Sequence, residues 1–162
     1  MESVTFAAVA KHIGLAPATL VQRFGRKDAM VEAALQLAWD ELEMLTEEAD
    51  RRCAIDPDGA IDLLVSLTPN EFADPHDEGL LLLREDFINP RLRERGVRWR
   101  RMLTEALAAR LRGGKIDAEE LARLMGNQWQ GALIWWGFAR TGTCKDFLKA
   151  ELRTLLRLAD DQ

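Results

Sequence analysis

Eight consecutive residues toward the C-terminal end, "ALIWWGFA" at 132–139, carry no charge and constrain the fold more than any other stretch. At 100° per residue, a helical run of that length puts apolar groups on every side, so it needs cover on two sides at once. One side can belong to the chain's own core. The other requires either a second copy of the chain or full enclosure within a single domain. Strands are no alternative: Val/Ile/Thr alternation is missing, there are no tyrosines, and Leu, Ala, Arg and Glu dominate. The expected fold class is all α.

Glycine, proline and capping residues divide the chain into helices. Thr5 is placed to cap a short helix running to about His12, and Gly14 to supply a left-handed turn behind it. Pro17 suits the first turn of a second short helix, ending near Arg23 and broken by Gly25. A long helix is expected from about Arg26 to Arg52, with Ala29, Met30, Ala33, Leu37, Leu42 and Leu45 as its apolar positions. "DPDG" at 56–59 reads as a turn before a modest helix over Ala60 to Leu67. Acids in "DPHDEG" at 74–79 open the next helix, which runs to the break at Asn89-Pro90. Pro90 starts a helix to about Arg112, closed by Gly113-Gly114. Asp117 caps another to about Arg140, with Glu120 completing a capping-box pattern. "TGT" at 141–143 then precedes a last helix, Lys145 to about Leu158.

A chain of 162 residues, 48% hydrophobic and 30% charged, is long enough for one well-buried core with a small appended unit. Its longest nearly uncharged run, Asn127 to Ala139, is too short to cross a bilayer and is interrupted by Asn127, Gln128 and Gln130. The first residues do not form a basic, apolar leader, so the protein reads as soluble and cytoplasmic, without a membrane partner. Cys53 and Cys144 lie far apart and outside any CxxC pair, and read as free thiols. His76 is flanked by Asp74, Asp77 and Glu78, but consecutive helical residues splay apart, which favours a solvated helix start over a metal site. With no nucleophile beside a base, no metal spacing and no Gly-rich phosphate loop, neither an enzyme nor a cofactor is expected.

The charge is uneven. Residues 1–28 carry Lys11, Arg23, Arg26 and Lys27 against Glu2 and Asp28, a balance of +2, so the remainder of a chain of net charge -5 carries -7. A mildly basic head on an acidic body suits a small DNA-contacting module joined to a larger domain. Within that head, a helix-turn-helix needs a small residue where its helices cross, a turn residue free to take positive φ, and apolar positions facing a shared core. Ala10, Gly14, and the set Val9, Ile13, Leu15 and Leu20 stand at those offsets. The second helix then offers Thr19, Gln22 and Arg23 to a major groove.

The continuation "TLVQRFGRKDAMVEAAL" at 19–35 resembles the TetR family of transcriptional regulators. The matching residues are Phe6 to Ile13, Gly14, Thr19-Leu20-Val21, Phe24, Gly25-Arg26 and Lys27-Asp28-Ala29. More loosely, "NPRLRERGVRWRRMLTEAL" and "GKIDAEELARLMGNQWQGALIWW" are similar to that family's ligand and dimerisation domain. The resemblance implies a helix-turn-helix head over 1–28, joined by a long helix to a ligand-binding and dimerisation body over 29–162. It implies a homodimeric repressor of double-stranded operator DNA that answers to a small effector. DNA contact is assigned in this way to Thr5, Pro17, Ala18, Thr19, Val21, Gln22, Arg23 and Lys27. Two departures matter: Val21 stands where the family commonly has a phosphate-contacting aromatic, and Ala16-Pro17 replaces the usual Ser-Lys. Phosphate contacts then fall on Lys27, Arg23 and backbone N–H groups, so modest affinity and a shallow salt slope are expected. Gln22 suits adenine, and Ala18 and the Thr19 methyl suit thymine methyls.

Six arginines between Arg91 and Arg101 form the densest basic run, but helical spacing spreads them around the circumference, as for a solvated, ion-paired helix. Five tryptophans are too many for surface decoration. Trp39, Leu83, Phe87, Trp99, Met102 and Trp129 are the candidates to line an effector cavity, which would then suit a largely apolar or aromatic molecule; for each of them plain core is an equally weighted alternative. For the homodimer interface the candidates are Leu121, Met125, Gln128, Ala132, Trp135, Trp136 and Ala139, with Leu148, Leu152 and Leu155 of the last helix completing a two-chain four-helix bundle. A rival reading keeps the all-α dimer as a ligand-binding or interaction module that no longer binds DNA. It gains weight because Val9, Ile13, Leu20 and Phe24 call for a covering helix that residues 1–4 cannot supply, so an N-terminally truncated version is expected.

Overall fold

The computed structural model describes residues 4–68 and 79–161, with the backbone alone over 79–83. Among these residues there are eight helices and no strand: α1 (Phe6–Ile13), α2 (Pro17–Phe24), α3 (Lys27–Arg52), α4 (Pro57–Ser66), α5 (Gly79–Ile88), α6 (Pro90–Ala108), α7 (Ala118–Ala139) and α8 (Cys144–Asp160). No described helix is long and apolar enough to cross a membrane. The chain divides into two compact units, Met1–Glu41 with Glu78–Arg95, and Leu42–Asp77 with Gly96–Gln162, so that α3 and α6 each contribute residues to both.

In the first unit α1 and α2 pack on each other around Ala10, which has no exposed surface. Its cluster includes Leu20 of α2 and Met30 of α3, with Val4, Phe6, Val9 and Phe24 packed against it. Farther along, Trp39 donates its indole N–H to Asp86 at 3.0 Å. Arg95 pairs with Asp40 at 2.7 Å and donates to Gln36 at 3.3 Å, and Arg91 pairs with Glu32 at 3.6 Å.

In the second unit α8 packs against both α4 and α7. Ile61, Leu63 and Leu64 of α4, Leu107 of α6, Met125 of α7 and Leu148 and Leu152 of α8 are its deepest apolar side chains. Two indoles cross this core with their N–H groups satisfied: Trp99 donates to the Thr46 hydroxyl at 2.9 Å and Trp129 to that of Thr68 at 3.1 Å. Arg110 is also almost wholly buried. It donates to the Asp50 carboxylate at 2.5 Å and to the carbonyls of Asp50, Cys53 and Ala106 at 2.6, 3.1 and 2.7 Å. Of the arginine run, Arg98 meets Glu43 at 3.4 Å within this unit.

Several boundaries differ from the sequence reading for identifiable reasons. The "DPDG" segment is the start of α4, because Asp56 accepts the Gly59 N–H at 2.7 Å as an N-cap and Pro57 takes the first turn. Helix α6 stops at Ala108, where Arg110 and Leu111 donate instead to the carbonyls three residues back and the guanidinium turns inward. On α3, Ala33, Leu37 and Leu45 are exposed, whereas Met30, Leu35, Thr46 and Ala49 are buried. Thr46 belongs to the core because its hydroxyl is taken up by Trp99 and by the Leu42 carbonyl. The acidic opening expected at 74–78, His76 included, lies outside the described residues.

Gly59 marks the tightest backbone approach: a Cβ there would overlap the Ala54 carbonyl. Gly59→Ala is expected to lower stability by about 1–3 kcal/mol, the range for forcing extra atoms into packed structure. Urea unfolding would register this as a lower midpoint at unchanged slope; an unchanged midpoint would contradict the packing described.

Candidate nucleic-acid interface

Local chemistry shapes the α1–α2 turn. The Thr5 hydroxyl accepts the Ala8 N–H at 3.1 Å and fixes the start of α1. At the other end Gly14 adopts φ 70°, a left-handed conformation glycine reaches without a Cβ penalty. The Leu15 N–H then reaches back to the Ala10 carbonyl at 2.9 Å, a Schellman closure that stops α1 and redirects the chain. Pro17 starts α2 with its φ preset, and Gly25, at φ 69°, ends it before α3 begins at Lys27.

Leu20 and Phe24, one turn apart, hold α2 to the core cluster. The side of α2 turned away is therefore Ala18, Thr19 and Gln22, with Val21 and Arg23 on its two flanks. All five are exposed, as are Pro17 and Thr5, while Lys27 is half-buried. The guanidinium of Arg23 lies 5.4 Å from the Phe24 ring centroid, a cation–π contact that keeps the charge beside the helix end. Two residues expected in the shared core are not there: Ile13 is 51% and Leu15 47% exposed. Both sit where the chain turns, beyond reach of the Leu20–Met30 cluster.

The other candidates fall on both units. Trp39 and Phe87 belong to the first, where Phe87 is exposed and Trp39 is tied to Asp86; only the backbone of Leu83 is described. Trp99, Met102 and Trp129 belong to the second, with the two indole rings 6.4 Å apart between centroids and tilted by 52°. A cleft of about 310 Å³ opens in the first unit over Val31, Leu35 and Leu92, rimmed by Lys27, Asp28, Glu32, Glu85 and Asn89, and none of the six cavity candidates lines it. Among the described residues no group of three or more His, Cys, Asp or Glu is placed to hold a metal ion. Both cysteines are free, and burial pushes the Cys144 thiol above its ordinary range against the opposing pull of Lys145.

Of the interface candidates, Leu121, Met125, Ala132, Leu148 and Leu152 are buried within the chain's own α7–α8 core and leave no surface for a partner. Gln128 is half-buried and donates to Glu151 at 2.9 Å; Trp136 and Leu155 are half-buried and Ala139 is exposed. The largest exposed apolar groups on α7 are Trp135 at 68% and Phe138 at 79%, their rings 5.8 Å apart. Sequence reasoning had Trp135 but not Phe138, Leu124 or Leu158, which are exposed too. The missed signal is spacing: Leu124, Gln128, Gly131, Trp135 and Phe138 recur every three or four residues along one face of α7.

The first two helices of this all-α chain form a tight turn unit with a polar outer face on the second, the architecture of a helix-turn-helix. Residues 1–34 match the family model described as bacterial regulatory proteins, tetR family. A protein described as a transcriptional regulator from Saccharomonospora viridis, whose crystal structure is in complex with choline, matches over 96% of this chain and 86% of its own, with 23% identity and a TM-score of 0.67. No curated protein matches the sequence. The resemblance read from the sequence is thus matched over the head by the tetR family model, and the fold of the chain is that of the Saccharomonospora viridis structure.

The turn supplies a direct test of the head. Gly14→Ala is expected to cost about 1 kcal/mol, because a Cβ is forced into the left-handed region. Amide exchange at Leu15 should accelerate accordingly; unchanged protection would mean that the turn does not depend on that conformation.

Proposed function

We propose that this chain is a homodimeric, one-component repressor that binds double-stranded operator DNA through a head at residues 1–28 and a small effector through a body at 29–162. The single observation that carries the reading is the division of α2. Its inner side is fixed by Leu20 and Phe24, and its outer side leaves Ala18, Thr19, Gln22 and Arg23 exposed on a preset helix. Such a helix fits a major groove with its polar side chains toward base edges, Gln22 toward adenine. Lys27, Arg23 and backbone N–H groups at helix starts supply the phosphate contacts.

A gel shift of the full chain against the DNA upstream of its own coding sequence, at low salt, tests this. A retarded complex weakened about tenfold by Gln22→Ala is expected, from the worth of one bidentate base contact. Because few cations take part, the decline with salt should be shallow, with a log–log slope near the number of phosphates neutralised. Absence of any complex at low salt would favour the rival dimer that does not read DNA. Adding choline to the same binding reaction provides the first effector probe. It is the ligand of the Saccharomonospora viridis protein, and a quaternary ammonium suits the faces of aromatic rings. DNA affinity unchanged at saturation would exclude choline as the effector.

The homodimer rests on the α7 stripe. Leu124, Gln128, Gly131, Trp135 and Phe138 form a seam at coiled-coil spacing with a small residue in the middle, suited to meeting its own copy across a two-fold axis. Ala139 lies beside it on the same helix, and Trp136 falls on the core side of α7 and is half-buried. Replacing both Trp135 and Phe138 with Glu is expected to yield a monomer in sedimentation while helicity is retained, since both side chains are exposed. A double variant that still sediments as a dimer would place the interface elsewhere.

A further inference from the structure

Resting on the DNA-reading proposal above, we infer that α2 selects its half-site mainly through thymine methyl groups met by Val21 and Ala18, while its side-chain grip on phosphate comes from the Arg23 flank alone. The inner side of α2 is defined by Leu20 and Phe24. Steps of 100° then put Gln22 opposite that side, with Ala18 and Thr19 beside it and Val21 and Arg23 about 100° to either side of Gln22. A helix lying in a major groove turns its two flanks toward the two strands. One flank of α2 carries a guanidinium; the other carries an isopropyl group that is 45% exposed and cannot donate to phosphate.

That asymmetry decides what the Val21 flank can recognise. The apolar group a base pair offers in the major groove is the C5 methyl of thymine, which projects beside its own strand. Guanine calls for an Arg or Lys fork on O6 and N7, and the centre of the outer face has none: Ala18, Thr19 and Gln22 are its members. Ala18 adds a second methyl, one turn of helix from Gln22 and next to it on the same face. The chemistry therefore points to half-sites in which thymines face Val21 and Ala18, with an adenine for Gln22.

The test uses the full chain and a pool of duplexes with about 20 randomised base pairs, enough for two half-sites one helical turn apart. The enriched duplex is then remade with deoxyuridine for thymidine, which removes each C5 methyl and leaves every groove donor and acceptor in place. The expected result is about tenfold weaker binding of the uracil duplex by the wild-type chain, within the range a single altered base pair commands. Val21→Ala, a change at an exposed helical position, should bind the thymine duplex more weakly and lose a smaller factor on uracil substitution. Equal affinity for the two duplexes would overturn the methyl reading while leaving DNA binding intact. A uracil penalty as large in Val21→Ala as in the wild type would remove Val21 from the assignment. A pool from which no duplex enriches would overturn the DNA-binding proposal, and this inference with it.

Discussion

One buried guanidinium sets the register of the second unit. Arg110, 3% exposed, reaches from just beyond α6 to the last turn of α3, where its N–H groups meet the carbonyls of Asp50 and Cys53 and the Asp50 carboxylate. The last carbonyls of a helix have no partner within it, and a buried cation is tolerable only when paired and hydrogen-bonded. The two needs meet here through the terminal N–H groups of a planar fork. A slip of α3 by one residue would strip the guanidinium of its acceptors. Thr46, one turn before Asp50, is thereby held opposite Trp99. The core is consequently specified by directional contacts as well as by volume, with Trp129 and Thr68 repeating the device.

Those same directional contacts separate what was legible in the sequence from what was not. The starts of α1 and α7 were readable because caps are local: Thr5 and Asp117 each accept N–H groups within three residues. The head was readable for a similar reason, since Ala10, Gly14 and Pro17 act on their immediate neighbours. Ile13 and Leu15 were misjudged because periodicity assigns a face without saying how far the covering cluster extends. On α3, the apolar pattern pointed to Leu37 and Leu45, whereas burial followed Thr46, whose partner is 53 residues away. Nothing near Arg110 in the sequence marks it for burial, because its acceptors at Asp50 and Cys53 lie 60 and 57 residues away. Interactions that span the chain leave no local trace, and they fixed the end of α6.

The "ALIWWGFA" run shows the same limit from the other direction. Its composition demanded cover on two sides, and within the chain Ala132 finds it while Trp135 and Phe138 do not. Sequence alone could not sort α7 into its inward and outward residues, because every position in the run is apolar. Half of the candidate interface was thus intramolecular packing. Only the position of α8, which buries Leu148 and Leu152, reveals which half.

In α2 the residues that hold the helix in place and the residues that face outward are disjoint sets. Leu20 and Phe24 secure it, and Ala18, Thr19, Val21, Gln22 and Arg23 contribute little to that anchorage. Substitutions at those five positions can therefore change the outer face of the helix at small thermodynamic penalty to the fold. On the DNA-reading proposal, a lineage carrying this head could drift to new target sequences by single steps, each intermediate remaining folded, without a compensating change elsewhere in the chain.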